Sequence, residues 1–69
     1  MVEVFITNVQ SSEKANSVMQ DFEILFPHYI VNFDLEDCDK ILRIESENIN
    51  IEKIIRILNE KNIACKILE

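Results

Sequence analysis

The first residues of the chain alternate between two sets of side chains with a period of two. One set is aliphatic and the other is mixed, Val2, Val4 and Ile6 against Glu3, Phe5 and Thr7. Such alternation is typical of a β-strand with one buried face. Because the aliphatic set is uniform, we expect it to face the core and the mixed set to face outward.

The period changes after Ser11, where apolar residues recur at helical spacing. The stripe consists of Ala15, Val18, Met19, Phe22, Leu25 and Phe26. One apolar stripe predicts an amphipathic helix that packs one side against a core. Ser11 is a favourable N-cap, and Pro27 cannot continue a helix.

The second half of the chain repeats the change of period. "YIVNFDL" at 29–35 and "ILRIE" at 41–45 predict two strands joined by the polar turn "EDCDK". Asn50 is a favourable cap for a second helix, Asn62 a plausible left-handed end, and "IACKIL" at 63–68 predicts a last strand.

The element order βαββαβ predicts a ferredoxin-like α+β sandwich. We expect a four-stranded antiparallel sheet in the order 4-1-3-2 with both helices on one face, as a single domain over 1–69. The order also predicts that three loops meet at one end of the sheet, those around 8–12, 36–39 and 61–62.

Composition excludes several classes of function. The chain has 69 residues, 13 acidic and 7 basic, and a net charge of -6, which disfavours nucleic acid and anionic membrane surfaces. It contains no glycine, so a phosphate-cradling loop is not expected. We see no signal peptide and no apolar run of about 20 residues. These features predict a cytoplasmic protein with reduced thiols and no cofactor.

Three short stretches carry a resemblance to a known family. Ile6, Asn8 and Val9 precede the first helix, "FDL" at 33–35 ends the second strand, and Asn62–Ile63 precede the last strand. The pattern resembles the heavy-metal-associated domain of copper chaperones, mercury-binding proteins and copper-transporting ATPases. That family has a strand valine followed by Gly-Met-x-Cys-x-x-Cys, and its resemblance to this sequence covers nearly the whole chain.

The two cysteine positions of that motif hold Ser11 and Lys14 here. The family binds soft cations through two thiolates, because polarizable sulfur suits such ions. A serine hydroxyl is a poor substitute, and a lysine ammonium repels a cation. The resemblance therefore implies the fold without the family's metal site, and we expect the loop to cap the helix instead.

A substitute metal site is the alternative interpretation. Cys38 lies in the hairpin turn with Glu36, Asp37 and Asp39, which together offer one sulfur and several oxygen ligands. The spacing is not that of a calcium loop, and a solvated acidic turn also explains it.

The remaining chemistry-bearing residues do not form a catalytic set. Cys65 is in step with Ile63 and Ile67, which indicates a core position. A bridge from Cys38 to Cys65 is not expected, because the two lie towards opposite edges of the predicted sheet. His28 follows Pro27 in a turn without a nearby nucleophile, so we expect no enzyme.

The sheet face away from the helices is the expected interaction surface. Its most apolar members are expected to be Phe5, Ile30, Ile41 and Leu68. An apolar patch of this kind often marks a binding site. The function hypothesis is thus a module that binds another protein or itself, including as a homodimer through this face.

Overall fold

In the computed structural model, which describes residues 1–68, the chain forms six elements in the order βαββαβ. They are β1 Val2–Thr7, α1 Ser12–Leu25, β2 Ile30–Asp34, β3 Ile41–Glu45, α2 Ile51–Glu60 and β4 Cys65–Ile67. The α+β class, with two helices and a four-stranded antiparallel sheet, is confirmed. The last strand is shorter than predicted, and the end of the predicted domain, Glu69, lies outside the described residues.

The sheet has the strand order β2-β3-β1-β4, which is 4-1-3-2 when read from the β4 edge. β1 pairs antiparallel with both β3 and β4, and β3 pairs antiparallel with β2. β1 and β3 are therefore the central strands, and β2 and β4 are the edges.

Both helices begin at the predicted capping residues. The Ser11 hydroxyl accepts a hydrogen bond from the Lys14 amide, and the Asn50 side chain accepts one from the Lys53 amide. Each bond satisfies one of the backbone donors that a helix start leaves unpaired. α2 is followed by Asn62 at φ 63°, the predicted left-handed residue. Neither helix in the described part of the chain is long and apolar enough to cross a membrane.

One hydrophobic core lies between the helices and one face of the sheet. Its fully buried residues come from both helices, from the strands and from two loops: Phe5, Val9, Ala15, Val18, Phe22, Leu42, Ile44, Ile54, Leu58 and Ile63. Because α1 and α2 contribute to the same cluster, both helices cover the same side of the sheet.

The orientation of β1 is opposite to the prediction. Phe5 is fully buried and Thr7 is 8% exposed, whereas Val2 is 43% exposed. Phe5 lies beside Leu42 of β3 in the sheet, and cross-strand partners share a face. The large Phe5 ring packs in the core between the sheet and the helices, whereas the smaller side chains of Val2, Val4 and Ile6 face outward. Phe5 is therefore not part of the open face.

The end of α1 also differs from the predicted stripe. Leu25 is 52% exposed, although it is close to helical register with the buried residues. Phe26 takes the position against the core instead, with its ring 5.6 Å from that of Phe22 and stacked 4.5 Å from that of Tyr29. These aromatic contacts close the end of the core near Pro27.

The orientation of β1 predicts unequal costs for two truncations. Phe5→Ala should lower the free energy of unfolding by about 3–5 kcal/mol, because it empties a packed position. Ile30→Ala, at a side chain that is 58% exposed, should change it by less than about 0.5 kcal/mol. Urea unfolding at low protein concentration measures both, and equal losses would contradict the orientation.

Candidate functional site

The loop after β1, which contains Ser11, caps α1. The Ser11 hydroxyl lies 3.1 Å from the Lys14 amide that it accepts from. Ser11 has an extended backbone, with φ −120° and ψ 145°, as an N-cap requires. Lys14 itself is exposed. The prediction that this loop serves as a cap is confirmed.

Thr7 ties the end of β1 to the β2–β3 hairpin. Its hydroxyl donates to the Lys40 carbonyl and accepts from the Val9 amide at 3.2 Å. Its own amide donates to the Asp39 carbonyl at 3.1 Å. Among residues 1–68, Thr7 is the one buried polar or charged residue, and these bonds satisfy its hydroxyl.

Asn8 joins the same loop to the segment before β4. The Asn8 amide donates to the Ala64 carbonyl at 3.2 Å, and the Asn8 side chain accepts from the Ala64 amide at 3.0 Å. Lys61 adds an ion pair to Asp21 of α1. The bonds of Thr7 and Asn8 thus join the three loops that were predicted to meet at one end of the sheet, which confirms that prediction.

The hairpin at this end brings three potential metal ligands together. Asp37, Cys38 and Asp39 each place one ligand atom within 4.8 Å of the others, and all three are exposed. Glu36, the fourth residue of the predicted set, is not part of this group. Two carboxylate oxygens and a thiolate could contact one cation while water completed its coordination.

Other interactions in the hairpin compete with such a cation. Asp37 Oδ1 accepts a hydrogen bond from the Asp39 amide at 2.8 Å. Lys40 has φ 47°, and its ammonium donates to the Leu35 carbonyl at 2.8 Å. This ammonium adds a positive charge within the turn, which lowers the electrostatic attraction for a metal ion.

The remaining candidate residues are separate from this cluster. Cys65 lies in β4, at the sheet edge opposite to the hairpin of β2, and both cysteines are free. Partial burial raises the pKa of the Cys65 thiol above its ordinary value, so the uncharged thiol is favoured. His28 is exposed and lies with Glu45 and Glu47 around a hollow beside Tyr29.

The open face of the sheet is the second candidate site. We define it as the strand positions directed away from the core, together with the two residues that flank β4: Val2, Val4, Ile6, Ile30, Asn32, Asp34, Ile41, Arg43, Glu45, Ala64, Lys66 and Leu68. The register of the three strand pairs sets their relative positions. Ile30, Ile41 and Leu68 thus fall on the predicted face.

The open face carries an apolar cluster on its two central strands, beside the exposed Arg43, and further apolar residues at both edges. Ile6 on β1 is paired with Ile41 on β3, and Val4, whose direct partner is Arg43, lies diagonally from Ile41. Ile30 and Leu68 are 58% and 45% exposed. Sequence reasoning missed the three β1 residues of this face. Both alternating sets of β1 contain large apolar side chains, so periodicity alone does not choose between them.

No protein-family model matches this chain, and no curated protein matches it either. The functional interpretation therefore depends on the geometry of the two candidate sites.

The Thr7 hydroxyl should be required for the junction between β1 and the hairpin. Thr7→Val should lower the free energy of unfolding by about 1–3 kcal/mol, because it leaves the Val9 amide and the Lys40 carbonyl unpaired. Hydrogen exchange at the Val9 amide should become faster. Thr7→Ser keeps the hydroxyl and is the matched control, so a similar acceleration in that variant would contradict this role.

Proposed function

We propose that this chain is a non-enzymatic cytoplasmic module that acts by associating with itself through the open face. It is a ferredoxin-like domain related to the heavy-metal-associated domain, without the thiolate site of that family. The observation that carries the proposal is the open face itself, which has an apolar cluster on its two central strands beside Arg43 and whose charges balance. A second copy of the chain is the occupant that such a face fits.

The charge distribution supports a second copy as the occupant. The open face carries two acidic residues, Asp34 and Glu45, and two basic residues, Arg43 and Lys66. The chain as a whole has a net charge of -6, so its negative charge is concentrated on other surfaces. Two copies that meet through any of those surfaces repel each other, whereas two open faces meet without net charge.

Burial of apolar surface supplies the favourable free energy of association. Ile6 is paired with Ile41 across the two central strands, and Val4 lies two positions from Ile6 on the same face of β1. Their removal from water contributes about 25 cal/mol for each Å² buried. A short chain also gains stability from any partner that binds only its folded form.

The hydroxyl side chains at the two ends of the loop after β1 are engaged in structural hydrogen bonds, which supports the proposal of a non-enzymatic function. In the part of the chain that the structure describes, every buried side-chain polar atom has a hydrogen-bond partner. The Thr7 hydroxyl is engaged by two backbone groups, and Ser11 caps α1. These side chains hold the fold and are not positioned for chemistry.

A charge within the apolar cluster of the open face should weaken association. Ile6→Lys buries an unpaired ammonium in the interface, so the dimer dissociation constant should rise by more than about tenfold, or about 1.4 kcal/mol. Sedimentation velocity over a concentration series measures this constant for the wild type and the variant.

Ile24→Lys is the matched control for that experiment. Ile24 is 78% exposed on α1, and the substitution makes the same change in net charge without touching the open face. The proposal fails if the wild type stays monomeric to millimolar concentration. It also fails if both substitutions weaken the dimer equally.

Metal binding at the hairpin is the second candidate function, favoured by the convergence of Asp37, Cys38 and Asp39 within 4.8 Å. If this group binds a cation, Zn(II) added to the reduced protein should shift the amide NMR signals of these residues stoichiometrically. Cys38→Ser should abolish the shifts, and Cys65→Ser should leave them unchanged. Shifts that are absent, or that survive in Cys38→Ser, would exclude this site.

A further inference from the structure

One row of side chains crosses the open face from edge to edge. Asp34 on β2 is paired with Ile41 on β3, Ile41 with Ile6 on β1, and Ile6 with Lys66 on β4. The row therefore has an acidic residue at one edge, two isoleucines in the middle and a basic residue at the other edge. In the opposite direction, the row again has two isoleucines in the middle, but the basic residue comes first and the acidic residue last.

Face-to-face packing of two identical sheets with aligned strands allows two simple twofold arrangements. In one arrangement, the twofold axis lies between the two sheets, parallel to them and perpendicular to the strands. Each strand then lies over the same strand of the second copy. The central residue of β3, Arg43, then faces Arg43 of the second copy. Two guanidinium groups are thereby brought together in a partly desolvated interface, which is unfavourable.

In the other arrangement the axis runs close to the strand direction, between β1 and β3. β2 of one copy then lies over β4 of the other, so Asp34 faces Lys66 of the second copy, and this pair occurs twice. Ile6 faces Ile41 of the second copy in the middle of the same row. Arg43 faces Val4 of the second copy, so no two guanidinium groups meet in this arrangement.

We infer that the chain forms a twofold homodimer in this second arrangement, with the reciprocal Asp34–Lys66 pairs selecting the orientation. This inference rests on the proposed function and adds the geometry and the specificity-determining residues. Both side chains are exposed in the single copy. Asp34 Oδ1 accepts a hydrogen bond from the Asp37 amide at 3.3 Å. The other carboxylate oxygen of Asp34 accepts no hydrogen bond within the part of the chain that the structure describes.

The size of the face predicts a weak dimer. Four strands at about 4.8 Å spacing give a width of about 19 Å, and five residues give a length of about 17 Å. A face of this size belongs to the low end of specific interfaces, below about 1,200 Å² in total. At this size we expect a micromolar dissociation constant, and charge pairs at the rim decide the orientation more than the affinity.

Exchange of the two charges gives a direct test. In Asp34→Lys alone, position 34 faces Lys66 of the second copy, so lysine meets lysine twice. In Lys66→Asp alone, aspartate meets aspartate twice. Each variant by itself should therefore dimerise at least about tenfold more weakly than the wild type.

An equimolar mixture of the two variants restores both pairs. The two lysines at the rim of the Asp34→Lys variant then face the two aspartates at the rim of the Lys66→Asp variant, so a heterodimer should form with near wild-type affinity. Native mass spectrometry with one variant ¹⁵N-labelled distinguishes it from either homodimer. The double variant Asp34→Lys/Lys66→Asp should recover homodimerisation, and Asp34→Asn, which keeps an acceptor for the Asp37 amide, should weaken the dimer less than Asp34→Lys.

The outcomes separate this inference from the proposed function. A heterodimer in the mixture, with weakened homodimers of folded variants, supports the twofold arrangement. A wild-type dimer whose affinity is unchanged by either substitution overturns the arrangement but leaves self-association standing. A wild type that remains monomeric at millimolar concentration overturns both.

Discussion

Two short helices can cover only one side of a four-stranded sheet, and most of the structure follows from this constraint. The strands at the centre, β1 and β3, have neighbours on both sides, so their side chains must fill the core on one face and meet solvent on the other. β3 alternates accordingly, with Leu42 and Ile44 buried. β1 has apolar residues on both faces, and the uncovered face retains Val4 and Ile6. The apolar open face is therefore a direct consequence of the sequence of β1.

Hydrogen bonds at the end of β1 also set the positions of the other strands of the open face. Thr7 bonds to the hairpin on one side, and Asn8 bonds to Ala64 on the other. These bonds hold β2–β3 and β4 at defined positions relative to β1, and they lie beside the row of Asp34, Ile41, Ile6 and Lys66. The loop after β1 therefore has a structural role at one end of the open face.

The helix ends could be predicted from the sequence because they depend on local chemistry. Ser11, Asn50 and Asn62 act through their own side chains or backbone preferences. The face of β1 could not be predicted, because Phe5 on one side and Val4 on the other are both suited to a core, and only the pairing with β3 decides between them. The left-handed Lys40 was not anticipated either. The Lys40 amide and ammonium donate to the Asp37 and Leu35 carbonyls of the same hairpin, and the Lys40 carbonyl accepts from the Thr7 hydroxyl. The positive φ depends on these bonds, which the residue type at position 40 does not indicate.

Contact between two open faces can be measured most directly by isotope-filtered NOE spectroscopy on an equimolar mixture of ¹³C-labelled and unlabelled protein, which detects only contacts between copies. The account predicts cross-peaks from the Ile6 methyl groups to Ile41 of the second copy, and none from Ile24 on α1. Cross-peaks confined to Ile24 and the adjoining surface of α1, or none at millimolar concentration, would contradict it.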